Sequence, residues 1–447
     1  MYVSHAGGAL GVPSHARGVW NTEAQSKGAE GGSAETGGAQ AAFRAGQIIG
    51  REMRAVGLDW NLAPVVDVNC NPQNRGIGIR SFSTDTGMVI RCARSFIRGL
   101  EESGVRSCLK HFPGLGGVEN DPHLKLPVLN DSRSVIESRD LRPFREIPSA
   151  CWMPTHVYVP ALQSREEPVT LSREVLTDFI RGQLGFDGIL VADDLNMGGV
   201  MNSVSLEEAV VRSFEAGMDV LSVCEGSERQ CRAFEALEKA VSESEYLQLR
   251  LEESRERIQR FIDLRRDLPE GAQRAGVSEL RLPESLRTAE DIARKAVVMV
   301  KQGPDIKGGM SFDNIFAMEM ERQVPVEQTV NVRELEAARI LGREMQCGCH
   351  FFSAGTLPEE EERLLGYAGK RRNLFFLENA YLNEDICSFV QRMLSVSAAH
   401  CVVALRNPWD ADIAGVENAV CAYGYTPAQQ KALLQFLRRK VLCTAAS

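Results

Sequence analysis

The sequence predicts an α/β protein in which parallel strands alternate with helices. From about residue 41, short apolar runs alternate with amphipathic segments of helical length, which is the pattern of consecutive βαβ units. A barrel and an open doubly wound sheet both place a functional site at the C-terminal ends of their strands. Polar residues at those ends therefore indicate a site without deciding between the two architectures. These residues are Asp67, Lys110, His111, His156, Asp193 and Asp194.

The elements of the first half follow in a regular order. Residues 41–56 predict a helix and residues 58–68 a strand. Residues 88–102 place apolar side chains on one helical face. Further strands are predicted at 105–109, 150–159, 185–195 and 217–223, and further helices at 136–147, 172–183, 205–216, 227–242 and 245–266.

Changes in composition predict the domain boundaries. Residues 1–40 are rich in Gly, Ala and Ser and have almost no apolar periodicity, so we expect them to be disordered. A first domain is expected over 41–267 and a Pro-, Gly- and charge-rich linker over 268–284. A second α/β domain is expected over 285–447, where no phosphate-binding glycine motif occurs.

Composition and charge argue against some classes of function and favour one type of cellular compartment. The net charge of −9 argues against a general nucleic-acid binder. No apolar run is long enough to span a bilayer, so no membrane span is expected. The 12 cysteines are scattered, several of them in apolar stretches, which favours a reducing compartment. We therefore expect a cytoplasmic location, unless an export signal was lost with the N-terminus.

One short cluster, Cys347, Cys349 and His350, has the residue types of a zinc site. A single cluster without a second ligand pair is a weak signal. We therefore expect neither a metal nor a cofactor.

Two segments carry the candidate chemistry. The run KHFPGLGGVENDPH, residues 110–123, joins a strand end to a glycine-rich loop and finishes on Asp121 and His123. The run VADDLNMGG, residues 191–199, places Asp193 and Asp194 at the end of another apolar strand. If both segments belong to one site, they bring carboxylates, an imidazole and an ammonium together.

The motifs KHFPG, D-x-H and DDL-x-M occur in this order along the chain. Together they resemble the β-N-acetylhexosaminidase branch of glycoside hydrolase family 3. The segments APVVDVNCNPQNRGIGIRSFS, RDLRPF and MPTHVYVPAL are similar to other parts of that family, and VVALRNPWD is similar to its C-terminal domain. The similarity runs from about residue 40 to 440. It implies a (β/α)8-type TIM barrel followed by a smaller αβα sandwich.

The resemblance also implies an activity and residue roles. The activity is retaining exo-hydrolysis of terminal β-linked N-acetylglucosamine, from peptidoglycan fragments or chitooligosaccharides, through a covalent glycosyl-enzyme. Asp193 maps to the nucleophile, and His123, assisted by Asp121, maps to the general acid/base. The sugar-hydroxyl contacts map to Arg80, Lys110 and His111.

The residue types suit this chemistry independently of the resemblance. A retaining glycosidase needs a carboxylate nucleophile and a proton donor near the leaving oxygen. Asp193 at a rigid strand end suits the first role, and an imidazole that titrates near neutrality suits the second. Asp121 can orient His123. The glycines of the loop are expected to let His123 move in and out of the site.

Structural interpretations compete with these roles. Asp193 and Asp194 could form a helix N-cap, and Lys110 and His111 could simply end a strand. We expect Asp194 and Asp67 to be structural, and His156 stays open between lining the site and being buried.

The family's first barrel strands should precede residue 41, and residues 1–40 cannot supply them. We therefore expect a barrel without its N-terminal strands. Two alternatives follow: a catalytically impaired sugar-binding relative, or a phosphorylase acting on the same substrates.

Overall fold

The computed structural model describes residues 35–119, 122, 124–224, 226–263, 276–306, 309–319 and 335–442. Contacts divide the chain after Leu280, between a compact unit that begins at Ala42 and a second one that begins at Arg281. This division falls inside the predicted linker 268–284. Most of the segment predicted to be disordered lies outside the described residues.

The helices predicted for the first unit are confirmed, with the predicted helix 136–147 divided in two, whereas the predicted strands 58–68 and 217–223 form only isolated bridges. The first helix begins at Glu35, six residues before the predicted start at about residue 41. Its elements are α1 Glu35–Ala55, α2 Thr86–Glu101, β1 Leu109–Phe112, α3 Arg133–Arg139, α4 Leu141–Glu146, β2 Cys151–Pro154, α5 Glu174–Gln183 (with π-type hydrogen bonds), β3 Ile189–Leu190, α6 Gly198–Met201, α7 Leu206–Ala216, α8 Ser227–Glu243 and α9 Glu245–Asp263.

Five extended segments of this unit lie side by side and parallel. β1, β2 and β3 form a parallel sheet in chain order. Bridges from Trp60 to Arg106 and from Val65 to Lys110 add the segment 60–68 on one side. The bridge from Val191 to Val220 adds the segment around residue 220 on the other side. Within the described residues these form an open run of five parallel segments, whose C-terminal ends lie at one edge.

Two glycines let α1 and α2 cross at close range. A Cβ on Gly46 would lie 2.2 Å from the Phe96 carbonyl oxygen, and one on Gly99 would lie 2.2 Å from that of Phe43. Asp85 caps α2 by accepting the Met88 N–H at 2.7 Å. The apolar face predicted for this helix is buried.

A buried charge cluster fixes the fifth parallel segment. The Asp219 carboxylate accepts from Arg181 at 2.7 Å and from Arg250 at 2.9 Å, and its side chain is fully buried. It also accepts the Leu190 N–H at 2.9 Å. Asp219 thereby joins α5 and α9 to β3 through one carboxylate.

The second unit is built around one six-stranded sheet with its own apolar core. The strand order is β4–β9–β8–β7–β5–β6; β4 is antiparallel to β9, and all other pairs are parallel. Buried residues from Ala293 to Val441 form its core. Its elements are α10 Pro283–Ala296, β4 Val298–Lys301, β5 Asn314–Met318, α11 Glu336–Met345, β6 Gly348–Phe352, α12 Leu357–Ala368, β7 Arg372–Leu377, α13 Glu384–Val396, β8 Ala399–Ala404, β9 Ala419–Cys421 and α14 Pro427–Lys440.

Candidate active site

Asp193 lies just beyond β3, at the edge where the parallel segments end. Its side chain is partly exposed, and its backbone N–H donates to the Pro154 carbonyl at 3.1 Å. The Thr155 hydroxyl donates to Oδ2 at 2.8 Å, and the Asp194 N–H donates to Oδ1 at 3.0 Å. Asp193 is therefore a carboxylate held in one orientation by Thr155, which follows β2, and by the backbone of Asp194.

The surroundings keep Asp193 ionised. Burial by itself would raise the pKa of this carboxyl. Neighbouring groups, among them the Lys110 ammonium and the Thr155 hydroxyl, act in the opposite direction and hold its pKa well below the usual range. An ionised, oriented and accessible carboxylate can act as a nucleophile or stabilise a developing positive charge.

Lys110 supplies the buried cation of the site. It lies on β1 and is 5% exposed. Burial and the nearby Arg80 guanidinium lower the pKa of Lys110 to about 8, against the opposing effect of Asp193. The ammonium is thus charged at neutral pH, although it is largely removed from water.

His111 connects Asp67 to Arg80. Its Nδ1 lies 2.7 Å from Asp67 Oδ2, and its Nε2 lies 3.2 Å from Arg80 Nη2. Because a guanidinium can only donate, Nε2 must accept and Nδ1 must carry the proton. The ring is therefore neutral, which agrees with the lowering of its pKa by burial despite the opposing Asp67 carboxylate.

Asp67 is more than a strand terminus. Besides the His111 ring, it accepts the Leu115 N–H at 2.7 Å and lies within 3.4 Å of the His111 N–H. Arg80 is fixed at its other amino group by the Gly76 carbonyl at 2.9 Å. Asp67 therefore orients His111 and, through it, Arg80, which specifies the structural role expected for Asp67.

The glycines at the base of the loop have a different role from the expected one. A Cβ on Gly116 would lie 1.7 Å from the Val68 carbonyl oxygen, and one on Gly114 would lie 2.8 Å from Asp140 Cβ. Leu115 is 3% exposed. These glycines permit close packing of a buried loop base. The expectation that they serve as hinges was therefore wrong for this part of the loop.

Asp121 and His123, the proposed acid/base pair, lie outside the described residues. Their described neighbours bond to the segment that follows Asp193. The Pro122 carbonyl accepts the Gly199 N–H at 2.8 Å, and the Leu124 carbonyl accepts from Asn202 Nδ2 at 2.9 Å. The two segments singled out in the sequence therefore do meet in the fold.

His156 and Asp194 hold the chain around Asp193 through hydrogen bonds to the backbone and to Thr170. His156 is fully buried, with Nδ1 2.8 Å from Thr170 Oγ1 and Nε2 2.8 Å from the Asp194 carbonyl oxygen. Asp194 Oδ1 accepts the N–H groups of Asn196 and Cys224, each at 3.1 Å. The open question about His156 is thus settled in favour of a buried residue that fixes the chain after Asp193.

Sequence reasoning missed Thr155, the hydroxyl donor to Asp193. Its position directly after β2 is a usable signal, because polar residues at strand ends indicate the site. The partner of a side chain on another strand cannot be read from one segment alone.

The described residues contain no group of three or more His, Cys, Asp or Glu side chains arranged to hold a metal ion. Across the same part of the chain, no helix is both long and apolar enough to cross a membrane.

Comparison with known proteins finds a family that the chain matches. The family model described as "Glycosyl hydrolase family 3 N terminal domain" matches residues 29–261. The chain is 30% identical over 279 residues to beta-hexosaminidase A of Pseudoalteromonas piscicida, covering 58% of this chain and 47% of that protein. It is 39% identical over 190 residues to the beta-hexosaminidase of Neisseria meningitidis serogroup C (strain 053442), covering 41% and 51%.

A solved structure matches over a longer range. It is a glycoside hydrolase family 3 beta-N-acetylglucosaminidase from Paenibacillus sp. str. FPU-7, with a TM-score of 0.78 and 27% identity. The match covers 91% of this chain and 79% of that one. The chain spans about half the length of the curated relatives it matches. Because the family model covers more than half of the chain, the protein belongs to glycoside hydrolase family 3.

Proposed function

We propose that the protein is a retaining exo-β-N-acetylglucosaminidase, a glycoside hydrolase that removes terminal β-linked N-acetylglucosamine through a covalent intermediate on Asp193. The observation that carries the proposal is the state of Asp193: a carboxylate at a strand end, partly exposed, oriented by Thr155 and kept ionised beside Lys110. The solved relative named above is a beta-N-acetylglucosaminidase, which supports the sugar class.

In the proposed mechanism Asp193 attacks the anomeric carbon while the leaving oxygen takes a proton. Water then attacks the glycosyl-enzyme, and the configuration of the anomeric carbon is retained. Arg80 and Lys110 hold the sugar hydroxyls and restrict the pose of the sugar. His111, whose two ring nitrogens are both engaged, contributes by orienting Arg80.

His123 is the proposed proton donor and acceptor, oriented by Asp121. The bonds from Pro122 and Leu124 to Gly199 and Asn202 support this assignment, because they bring the two segments together. An imidazole suits both steps, since it can donate a proton in the first and accept one in the second.

The finer architecture is part of the proposal. We infer that the five parallel segments belong to a (β/α)8-type barrel and that the second unit is the αβα domain of the family. The proposed substrates are peptidoglycan fragments or chitooligosaccharides, in a cytoplasmic setting. The eleven cysteines of the described ranges are free thiols, in keeping with a reducing compartment.

The test is release of nitrophenol from 4-nitrophenyl N-acetyl-β-D-glucosaminide. We expect turnover by the full chain, and a loss of at least about 10³-fold in kcat for Asp193→Ala. Asp178→Ala is the matched control, since Asp178 is an exposed aspartate on α5 and should leave the activity unchanged.

Two results would change the proposal. A well-folded protein without turnover would favour the sugar-binding alternative. Product formation that requires inorganic phosphate and yields the sugar phosphate would identify a phosphorylase.

A further inference from the structure

Two buried cysteines lie side by side at the N-terminal ends of β1 and β2 and have no part in the proposed chemistry. Cys108 immediately precedes β1, and Cys151 is the first residue of β2. Both are 0% exposed, both are free thiols, and their sulfur atoms lie 2.8 Å apart. They pack with Met153, Ile189 and Val191.

The strand register explains the contact. Leu109 pairs with Trp152 in the parallel ladder, so Cys108 and Cys151 occupy the neighbouring position one residue earlier and share one face of the sheet. Adjacent strands lie about 4.8 Å apart, inside the Cα separation of about 4.4–6.8 Å that a disulfide spans. A bond between the two sulfurs therefore needs no rearrangement of the strands.

Both backbones are already fixed. The Cys108 N–H donates to the Ala63 carbonyl at 2.9 Å. The Cys151 N–H donates to Ser149 Oγ at 3.2 Å, and the Ser149 hydroxyl donates back to the Cys151 carbonyl at 2.8 Å. The two thiols are thus held in mutual contact by the ladder and by a local turn.

The second unit offers a contrast. Cys401 and Cys421 lie on the neighbouring strands β8 and β9, but Cys421 pairs with Ala404, three residues beyond Cys401. Cys92 is a buried thiol on α2. Burial and neighbouring strands alone therefore do not bring two thiols together, whereas the register at Cys108 and Cys151 does.

We propose that Cys108 and Cys151 form an oxidation site, in which a peroxide converts the two thiols into an intramolecular disulfide that joins β1 to β2. One sulfur, as the thiolate, attacks a peroxide oxygen; the O–O bond breaks and a sulfenic acid and water result. The second sulfur attacks the sulfenic sulfur; the S–S bond forms, the S–O bond breaks and a second water leaves. Two thiols are oxidised and one hydrogen peroxide is reduced to two waters.

Burial slows the formation of the disulfide and makes the bond durable once it has formed. It raises the pKa of the Cys151 thiol, so the reactive thiolate is scarce in the folded protein. Oxidant reaches the pair during transient opening of the strands, and the rate should therefore rise in urea below the unfolding transition. The bond would fix the spacing between the strands that carry Lys110 and lead into Thr155, whether or not the protein has the proposed activity.

The test is peptide mapping of the full chain. The reduced protein is treated with hydrogen peroxide, with and without sub-denaturing urea, until the exposed Cys224 and Cys231 have reacted completely. The peroxide is then removed, and the remaining thiols are blocked with N-ethylmaleimide in denaturant. Trypsin without reductant releases residues 107–110 and 146–165, each of which contains one cysteine.

We expect the two peptides as one linked species that separates on reduction. The link should be absent in Cys151→Ala and in Cys108→Ala, and should persist in Cys92→Ala, which also removes a buried thiol. The proposal is overturned if both peptides carry N-ethylmaleimide under both conditions. It is equally overturned if either cysteine appears as an unlinked sulfinic or sulfonic acid.

Discussion

At the scale of single residues, hydrogen-bond direction decides roles that residue type leaves open. The family resemblance implied that His111 contacts sugar hydroxyls, and the structure places this residue within β1. Its neutral ring accepts from Arg80 and donates to Asp67, so both of its nitrogens are engaged. The sequence singled out Arg80, His111 and Asp67 as separate candidates, but the way in which they support one another depends on partners 31 and 44 positions away from His111 in the chain.

The Asp67→Asn variant tests directly whether Asp67 orients His111 and His111 in turn orients Arg80. The new amide would donate to His111 Nδ1, so the ring would have to carry its proton on Nε2, facing a guanidinium that can only donate. Arg80 should then move, and kcat/KM should fall by about 10–100-fold, mainly through KM.

The control for this prediction is Asp85→Asn, which alters the α2 cap outside the proposed site. Thermal unfolding of both variants shows whether stability is the cause. Unchanged KM in a folded Asp67→Asn protein would remove Asp67 and His111 from sugar positioning.

His123 can be tested through the leaving group. His123→Ala should slow substrates with poor leaving groups far more than activated aryl glycosides, because the latter need little protonation. The measurement is kcat/KM over a series of aryl N-acetyl-β-D-glucosaminides. Equal losses across the series would contradict the acid/base assignment.

At the scale of elements, the sequence predicted helices and strands well and misjudged glycines. The apolar periodicity of α2 and the alternation of strands and helices were sufficient to place these elements. Gly114 and Gly116 were interpreted as a source of mobility, whereas each is required by a close contact with a segment distant in sequence. Glycine composition alone does not distinguish a flexible loop from a tightly packed one.

The crossing of α1 and α2 allows two glycine substitutions to be compared, one at a close contact and one without such a contact. Gly99→Ala would place a methyl group 2.2 Å from the Phe43 carbonyl oxygen, and should lower the free energy of unfolding by about 1–3 kcal/mol or more. Gly182→Ala on α5 meets nothing closer than 3.7 Å and should be neutral or slightly stabilising. Urea denaturation of the two variants provides the comparison, and equal stabilities would show that the helices separate without cost.

At the scale of the whole molecule, the chain consists of two units with separate cores. Composition predicted a linker over 268–284, and the contacts divide after Leu280. The sequence could not predict whether the first unit closes into a barrel, because strand pairing across a barrel depends on segments far apart in the chain. The described residues form an open run of five parallel segments, and the barrel remains a proposal.

The second unit should fold without the first. Its six-stranded sheet and its core from Ala293 to Val441 are self-contained. A fragment of residues 281–447 should therefore give a cooperative thermal transition and near-ultraviolet circular dichroism typical of packed aromatic side chains. A non-cooperative transition would mean that this unit depends on residues before 281.

The central claim is that Asp193 forms a covalent bond to the sugar. It is tested most directly by treating the full chain with a 5-fluoro derivative of N-acetylglucosaminyl fluoride, which slows breakdown of the intermediate. The tryptic peptide of residues 182–212 contains Asp187, Asp193 and Asp194, and fragmentation of this peptide locates the attached sugar. Our account predicts the adduct on Asp193. An adduct on another residue, or turnover of the natural linkage without an adduct and with inverted configuration, would contradict it.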